Sequence, residues 1–196
     1  VLLLGPILSA APTPSSRQDG RSVVLVTLDT TRADALGSYG NATPTPALDG
    51  LAVRGVRYSN AITASPLTLP AHASLLTGLE PPEHGVLDNG IAVLGSDVPT
   101  LASVLQARGY ATAAFVASRV LDRRFGLARG FATYDDRMAA EQTGEYGYPE
   151  RDAAAVTAAA LRWLAAAPRP QPFFLWVHYY DPHAPYEAKG STDVAR

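Results

Sequence analysis

At 196 residues the chain is long enough for one domain with a substantial core. Hydrophobic residues at 47% and charged residues at 17% fit a globular protein and exclude overall disorder. A net charge of −2 leaves no basic footprint, which argues against nucleic acid as a partner, and the absence of cysteine excludes disulfides, thiolate metal sites and cysteine nucleophiles.

The chain opens on Val1-Leu2-Leu3-Leu4-Gly5-Pro6-Ile7-Leu8, followed by Ser9-Ala10-Ala11 and a Pro/Ser-rich stretch to Gly20. An apolar run, small residues and a polar linker are similar to the end of a secretory signal with its cleavage region. The run is too short to span a bilayer, which takes about 20 apolar residues. Residues 1–21 are therefore read as a signal remnant and linker, with residues 22–196 as the domain and export to a periplasmic or extracellular location expected.

Residues 22–28 read as a buried first strand ending on Asp29. A short helix is predicted over 46–54, with Leu48, Leu51 and Ala52 on one face, and a second strand over 56–62. The segment Thr68-Leu69-Pro70-Ala71-His72-Ala73-Ser74-Leu75-Leu76-Thr77-Gly78 reads as a helix closed by glycine, with a hydroxyl residue as its N-cap. Residues 81–85 read as a loop. The next helix spans 100–108, with Thr100 as N-cap and Leu101, Val104 and Leu105 toward the core, and leads into a strand over 110–117. Residues 119–150 read as irregular surface chain. The clearest helix covers 151–167, with Val156, Ala160, Trp163 and Leu164 on one face, and Pro168-Arg169-Pro170 ends it. A continuous apolar strand over 173–177 then leads into His178-Tyr179-Tyr180-Asp181-Pro182-His183.

Apolar strands alternating with helices point to a three-layer α/β fold, doubly wound around a mainly parallel sheet. Ligands in that architecture sit beyond the carboxyl ends of the strands. Asp29, the start of the helix at Thr68, and 178–183 are expected to converge there.

Asp29 has two readings of equal weight: a cap for the following helix, or a carboxylate ligand for a divalent cation such as Mg, Ca, Mn or Zn. Thr68 reads as an N-cap whose hydroxyl stands beside free first-turn amides, where the helix dipole favours negative charge. A threonine hydroxyl becomes a nucleophile once its proton is removed or masked, and a cation shared with Asp29 does that. His72, one helical turn on, orients the nucleophile, contacts an anionic substrate or is simply structural. His84 reads as an exposed turn residue, and His178 as hydrogen-bonded at the end of its strand. His183, on a proline-braced loop at a strand end, ranks first among the histidines as a site residue.

Together these segments resemble the sulfatase family of the alkaline-phosphatase-like superfamily, from about Val23 to Tyr186. The landmarks are Leu28-Asp29-Thr30-Thr31-Arg32-Ala33-Asp34 with Tyr39-Gly40, Thr45-Pro46-Ala47-Leu48-Asp49, the run 68–78, His84-Gly85-Val86, Gly109-Tyr110-Ala111-Thr112-Ala113 and Asp181-Pro182-His183-Ala184-Pro185-Tyr186. The resemblance makes Asp29 a metal-binding carboxylate, Thr68 both nucleophile and metal-binding hydroxyl, and His183 a substrate contact. His84 is carried as a second substrate contact, and His72 as a catalytic residue where the family's motif has arginine. The second of the family's paired aspartates is Thr30 here, and its Lys-x-His falls at Ala117 and Arg119.

The nucleophile position in sulfatases carries Cys or Ser, which is oxidised to formylglycine. Thr68 is not a substrate for that conversion, so no formylglycine is expected. Threonine is typical of relatives that cleave or transfer phosphoesters. The resemblance thus implies a metal-dependent ester hydrolase or transferase acting on a phosphoester, or a sulfate ester, of a small molecule, lipid or glycan. The alternatives are conventional sulfuric ester hydrolysis and a non-catalytic exported domain that keeps the fold. Because the family's remaining Asp-His metal ligands are not in the chain, it reads as the N-terminal portion of a larger domain, with little or no turnover expected of it alone.

Overall fold

A computed structural model describes residues 20–138, 151–167 and 170–184. Its centre is a four-stranded sheet of β1 (Val23–Leu28), β2 (Ala111–Phe115), β3 (Thr133–Asp135) and β4 (Phe173–Tyr179), in the order β1-β4-β2-β3. Every neighbouring pair is parallel, with Thr27 opposite His178 and Ala113 opposite both Leu175 and Thr133. The last strand in sequence is thus central in space, which explains its unbroken apolar character: both of its faces are covered.

Side chains alternate across a strand, so β4 sends Phe174 and Trp176 to one face and Leu175 and Val177 to the other. On the first face Phe174 and Trp176 meet Leu69, Ala73 and Leu76 of α2 (Thr68–Thr77) and Ala102 of α4 (Leu101–Ala107), together with Phe131 and Tyr134. On the second, Leu175 and Val177 pack with Ala113 and Phe115 against Val156, Ala159 and Ala160 of α5 (Ala153–Ala166). The result is the three-layer α/β architecture read from the sequence.

Several elements differ from their expected form. Residues 56–62 form no strand: Val56, Tyr58 and Ile62 are 80%, 71% and 85% exposed, and no strand among the described residues lies beside them. Among the described residues β1 is an edge strand rather than a buried one, with β4 on one side and Val24 and Val26 half exposed. Helix α1 (Pro46–Arg54) forms as expected but buries none of its residues fully; Leu48 and Ala52 of its apolar face are partly buried, and Leu51 is 60% exposed. Residues 81–84 are a short helix, α3 (Pro81–His84), built by a capping box in which Glu80 and Glu83 exchange backbone bonds.

Helix α4 has the predicted cap, with the Thr100 hydroxyl accepting from the Ser103 amide at 3.1 Å. It faces the core through Ala102 and, as expected, Leu105, but not through Leu101 or Val104, which remain about two-fifths exposed. The reason is close backbone approach: a Cβ on Gly130, whose φ is +84°, would lie 2.0 Å from the Ser103 nitrogen. Only a small residue fits this crossing from either side. Within the stretch read as irregular, β3 supplies the described sheet's other outer strand, beside β2. Residues 1–19, 139–150, 168–169 and 185–196, and with them the signal-like segment, Tyr186 and most of the helix-ending Pro168-Arg169-Pro170, lie outside the described residues. No helix among those described is long and apolar enough to cross a membrane.

Candidate active site

The carboxyl ends of β1 and β4 and the first turn of α2 meet around Asp29. The ladder between β1 and β4 runs one residue past the strand, through the Asp29 amide and the Tyr179 carbonyl at 2.9 Å. This fixes the Asp29 backbone, and only 8% of the residue remains exposed. Asp29 caps no helix. The short turn that follows begins after Arg32 and has no side-chain cap.

Instead, Asp29 Oδ2 accepts the Thr68 hydroxyl at 3.1 Å and the His178 Nε2–H at 3.3 Å. Burial alone would raise its carboxyl pKa; the hydrogen bond from His178, the neighbouring His178 and His72 rings and the Thr68 hydroxyl outweigh it, so Asp29 lies below the usual value and is anionic.

Thr68 is the first residue of α2 and not its cap. The cap position is Leu67, which has no acceptor on its side chain. The capping acceptor comes from far along the chain: Asn89 Oδ1 takes the Leu69 amide at 2.8 Å. Pro70 has no amide hydrogen, and the Thr68 amide takes no partner among the described residues. One hydroxyl and one backbone N–H of the same residue therefore stand together at the positive end of a ten-residue helix.

His72 is 8% exposed and lies one turn below Thr68, its Nδ1–H donating to the Thr68 carbonyl at 2.7 Å. Its ring packs 5.5 Å from Trp176 and edge-on to His178 at 5.0 Å. Burial, reinforced by His178, holds its pKa down to about 4, so the ring is neutral at neutral pH. The resemblance places a fixed cation at this position; this chain has an uncharged ring that braces the helix start.

The loop after β4 is tied to the same centre. Thr30, with φ at +51°, turns its hydroxyl onto the Pro182 carbonyl at 3.1 Å. The residue after Asp29 thus holds the residue before His183. Asp181 secures the loop's other side by accepting the Ala153 amide at the start of α5, at 3.1 Å. His183 stacks on Tyr180 with ring centres 4.4 Å apart and planes 15° from parallel, and its Nδ1–H donates to the Ala184 carbonyl at 3.0 Å.

His84 is elsewhere. It was expected to be an exposed turn residue and is 3% exposed. Its Nδ1 accepts the Val86 amide at 3.1 Å, so its Nε2–H donates to Ser74 of α2 at 3.0 Å. Burial pulls its pKa down, and the ring closes the α2–α3 corner with both nitrogens engaged. The structure thus joins Asp29, Thr68 and His72 directly, ties the loop of His183 to them through Thr30, and leaves His84 apart. Asn89 was not among the candidates, and His178 was read only as hydrogen-bonded at the end of its strand, which it is. Asn89 carried only a turn signal, whereas a histidine closing an apolar strand was a visible anomaly.

The oxygen donors of Asp29 and Thr68 suit a hard divalent cation. Asp29 is anionic and buried, and its Oδ1 accepts no hydrogen bond among the described residues, so the donor chemistry fits. The set is partial: no group of three or more His, Cys, Asp or Glu among the described residues is placed to hold a metal.

A sequence model of the Sulfatase family matches residues 21–194. The steryl-sulfatase of Mus musculus is 38% identical over 119 residues, which cover 55% of this chain and 19% of that protein. The N-acetylglucosamine-6-O-sulfatase of Bacteroides thetaiotaomicron is 25% identical over 190 residues, covering 90% of this chain and 33% of that one. Among solved structures, the phosphonate monoester hydrolase of Agrobacterium radiobacter shares the fold with a TM-score of 0.67 at 23% identity, over 86% of this chain and 42% of the other. The chain spans a third or less of the length of those two curated relatives. A protein in the alkaline phosphatase superfamily from Vibrio parahaemolyticus shares the fold as well, with a TM-score of 0.64 at 21% identity over 90% of this chain and 44% of the other. The chain belongs to the sulfatase family.

Proposed function

We propose that the polypeptide carrying this sequence is a metal-dependent ester hydrolase or transferase that attacks a phosphoester through Thr68. The observation that carries the reading is the Thr68 hydroxyl, 3.1 Å from the anionic Asp29 at the start of α2. Asp29 and Thr68 would hold a divalent cation, whose positive charge would favour the alkoxide form of the hydroxyl and offset charge on the transferring group.

The chain's own residues account for the rest. The Thr68 oxygen forms a bond to phosphorus as the bond to the leaving oxygen breaks, and Asp29 is the adjacent acceptor for the hydroxyl proton. The leaving oxygen departs as an alkoxide or phenolate and takes its proton from solvent. The Thr68 amide and the α2 dipole stabilise charge on the phosphoryl oxygens. His72 acts by holding the Thr68 carbonyl, which keeps the first turn rigid. His183, on its stacked and tethered loop, contacts substrate. Water or another acceptor then cleaves the phospho-threonine intermediate and restores the hydroxyl. His84 has no part in this scheme.

Sulfate esters are the second reading, favoured by relatives named for sulfate removal from steryl and N-acetylglucosamine groups. A small-molecule, lipid or glycan ester outside the cytoplasm suits both readings. The intact polypeptide, assayed on aryl phosphate, phosphodiester and aryl sulfate with a divalent cation, ranks them. Phosphoester turnover that is lost in Thr68→Ala supports the proposal. Turnover confined to sulfate esters, or undiminished in Thr68→Ala, refutes it.

A further inference from the structure

His178 is fully buried on β4, the strand that pairs with both β1 and β2. Strand alternation puts it on the same face as Trp176, against His72. A branched apolar side chain would fill this position at less cost, because a buried imidazole must have both nitrogens satisfied. Here both are. The Ala117 amide, just past β2, donates to Nδ1 at 3.4 Å, which requires Nδ1 to be bare and the proton to sit on Nε2. That Nε2–H reaches Asp29 Oδ2 at 3.3 Å.

We infer that His178 is a positioning residue, which bridges the backbone after β2 to the carboxylate after β1 and fixes the orientation in which Asp29 meets Thr68 and a cation. Oδ2 receives two donors, from Thr68 and from His178, which restrict the rotation of the carboxylate. The His72 ring packs against the imidazole in a T-shaped arrangement, with ring centres 5.0 Å apart, and limits its rotation. Replacing His178 by an apolar residue would leave the Ala117 amide and Asp29 Oδ2 each short of a partner. Groups that hold a metal-ligating carboxylate in this way typically alter metal affinity by about 10- to 100-fold when removed.

The inference rests on Asp29 acting as a cation ligand in the proposed function. Its test is Mn²⁺ affinity, measured calorimetrically on the intact polypeptide and on His178→Phe, His178→Gln and His178→Asn, with ¹⁵N spectra of the imidazoles as a second readout. The wild-type spectrum is expected to show His178 with its proton on Nε2. His178→Phe is expected to lose about 10-fold or more in Mn²⁺ affinity. His178→Gln, whose amide reaches the Nε2 position, retains most of the affinity, and the shorter His178→Asn does not. If His178→Phe fails to fold, the Gln and Asn pair decides the matter.

Wild-type affinity in His178→Phe, equal affinity in Gln and Asn variants, a proton on Nδ1, or no Mn²⁺ binding by the wild type overturns the inference. The choice of nucleophile fails separately, by activity in Thr68→Ala, and leaves the Mn²⁺ series intact.

Discussion

Acid should weaken this fold through His72. The ring is 8% exposed and its pKa is lowered from 6.5 to about 4, mainly by burial. Between those values the unfolded chain binds a proton that the folded chain refuses. The contribution is therefore fully present above 6.5 and is lost as pH falls toward 4. A shift of roughly 2.5 units at about 1.36 kcal/mol each gives a full loss of about 3 kcal/mol, of which about 2 is gone by a pH of about 5. Asp29 acts in the same direction but below its ordinary value of 3.8, so the two windows separate. His84, also buried with a lowered pKa, adds a background that a variant subtracts. Urea denaturation of wild type and His72→Gln at pH values of about 7 and about 5 isolates the effect, with the wild type expected to lose about 2 kcal/mol more than the variant. Equal losses in the two proteins, within about 0.5 kcal/mol, would show that the folded ring takes a proton easily and would refute the neutral brace under Thr68.

Gly130→Ala is expected to be severely destabilising. It forces a side chain into positive φ and drives its Cβ into the backbone of α4, for a combined cost of about 4 kcal/mol or failure to fold. Soluble expression with a near-wild-type urea midpoint would contradict the close crossing. Asn89→Ala removes the acceptor for the Leu69 amide and should cost about 1 kcal/mol, while Asn89→Asp keeps the acceptor and stays near wild type. Identical midpoints for the two variants would mean that Asn89 does not cap α2.

The sheet and its site were legible to different degrees, for physical reasons. Continuous apolar runs marked β1, β2 and β4, and glycines at positive φ closed α2 and ended α4 where expected, because those signals are local. Residues 56–62 alternate like a strand but have no neighbouring strand among the described residues, and pairing is a tertiary property that periodicity cannot supply. β3 has only three residues, too few to show a period. In the site, Asp29 and Thr68 stood out through residue type and position, and the structure places them in hydrogen-bond contact. The capping role given to Thr68 failed because Asn89, 20 residues away in sequence from Leu69, provides the acceptor. His84 was misjudged as exposed because its turn folds back beneath α2, where Ser74 and the Val86 amide saturate its ring.

The central claim is that Thr68 makes the covalent bond. Brief incubation of the intact polypeptide with a phosphorus-radiolabelled ester, acid quenching and peptide mapping test it most directly. The account predicts label on the peptide containing Thr68, absent from Thr68→Ala and chased away by excess unlabelled ester. Turnover of that ester with no label on Thr68, or with label on another residue, would contradict it.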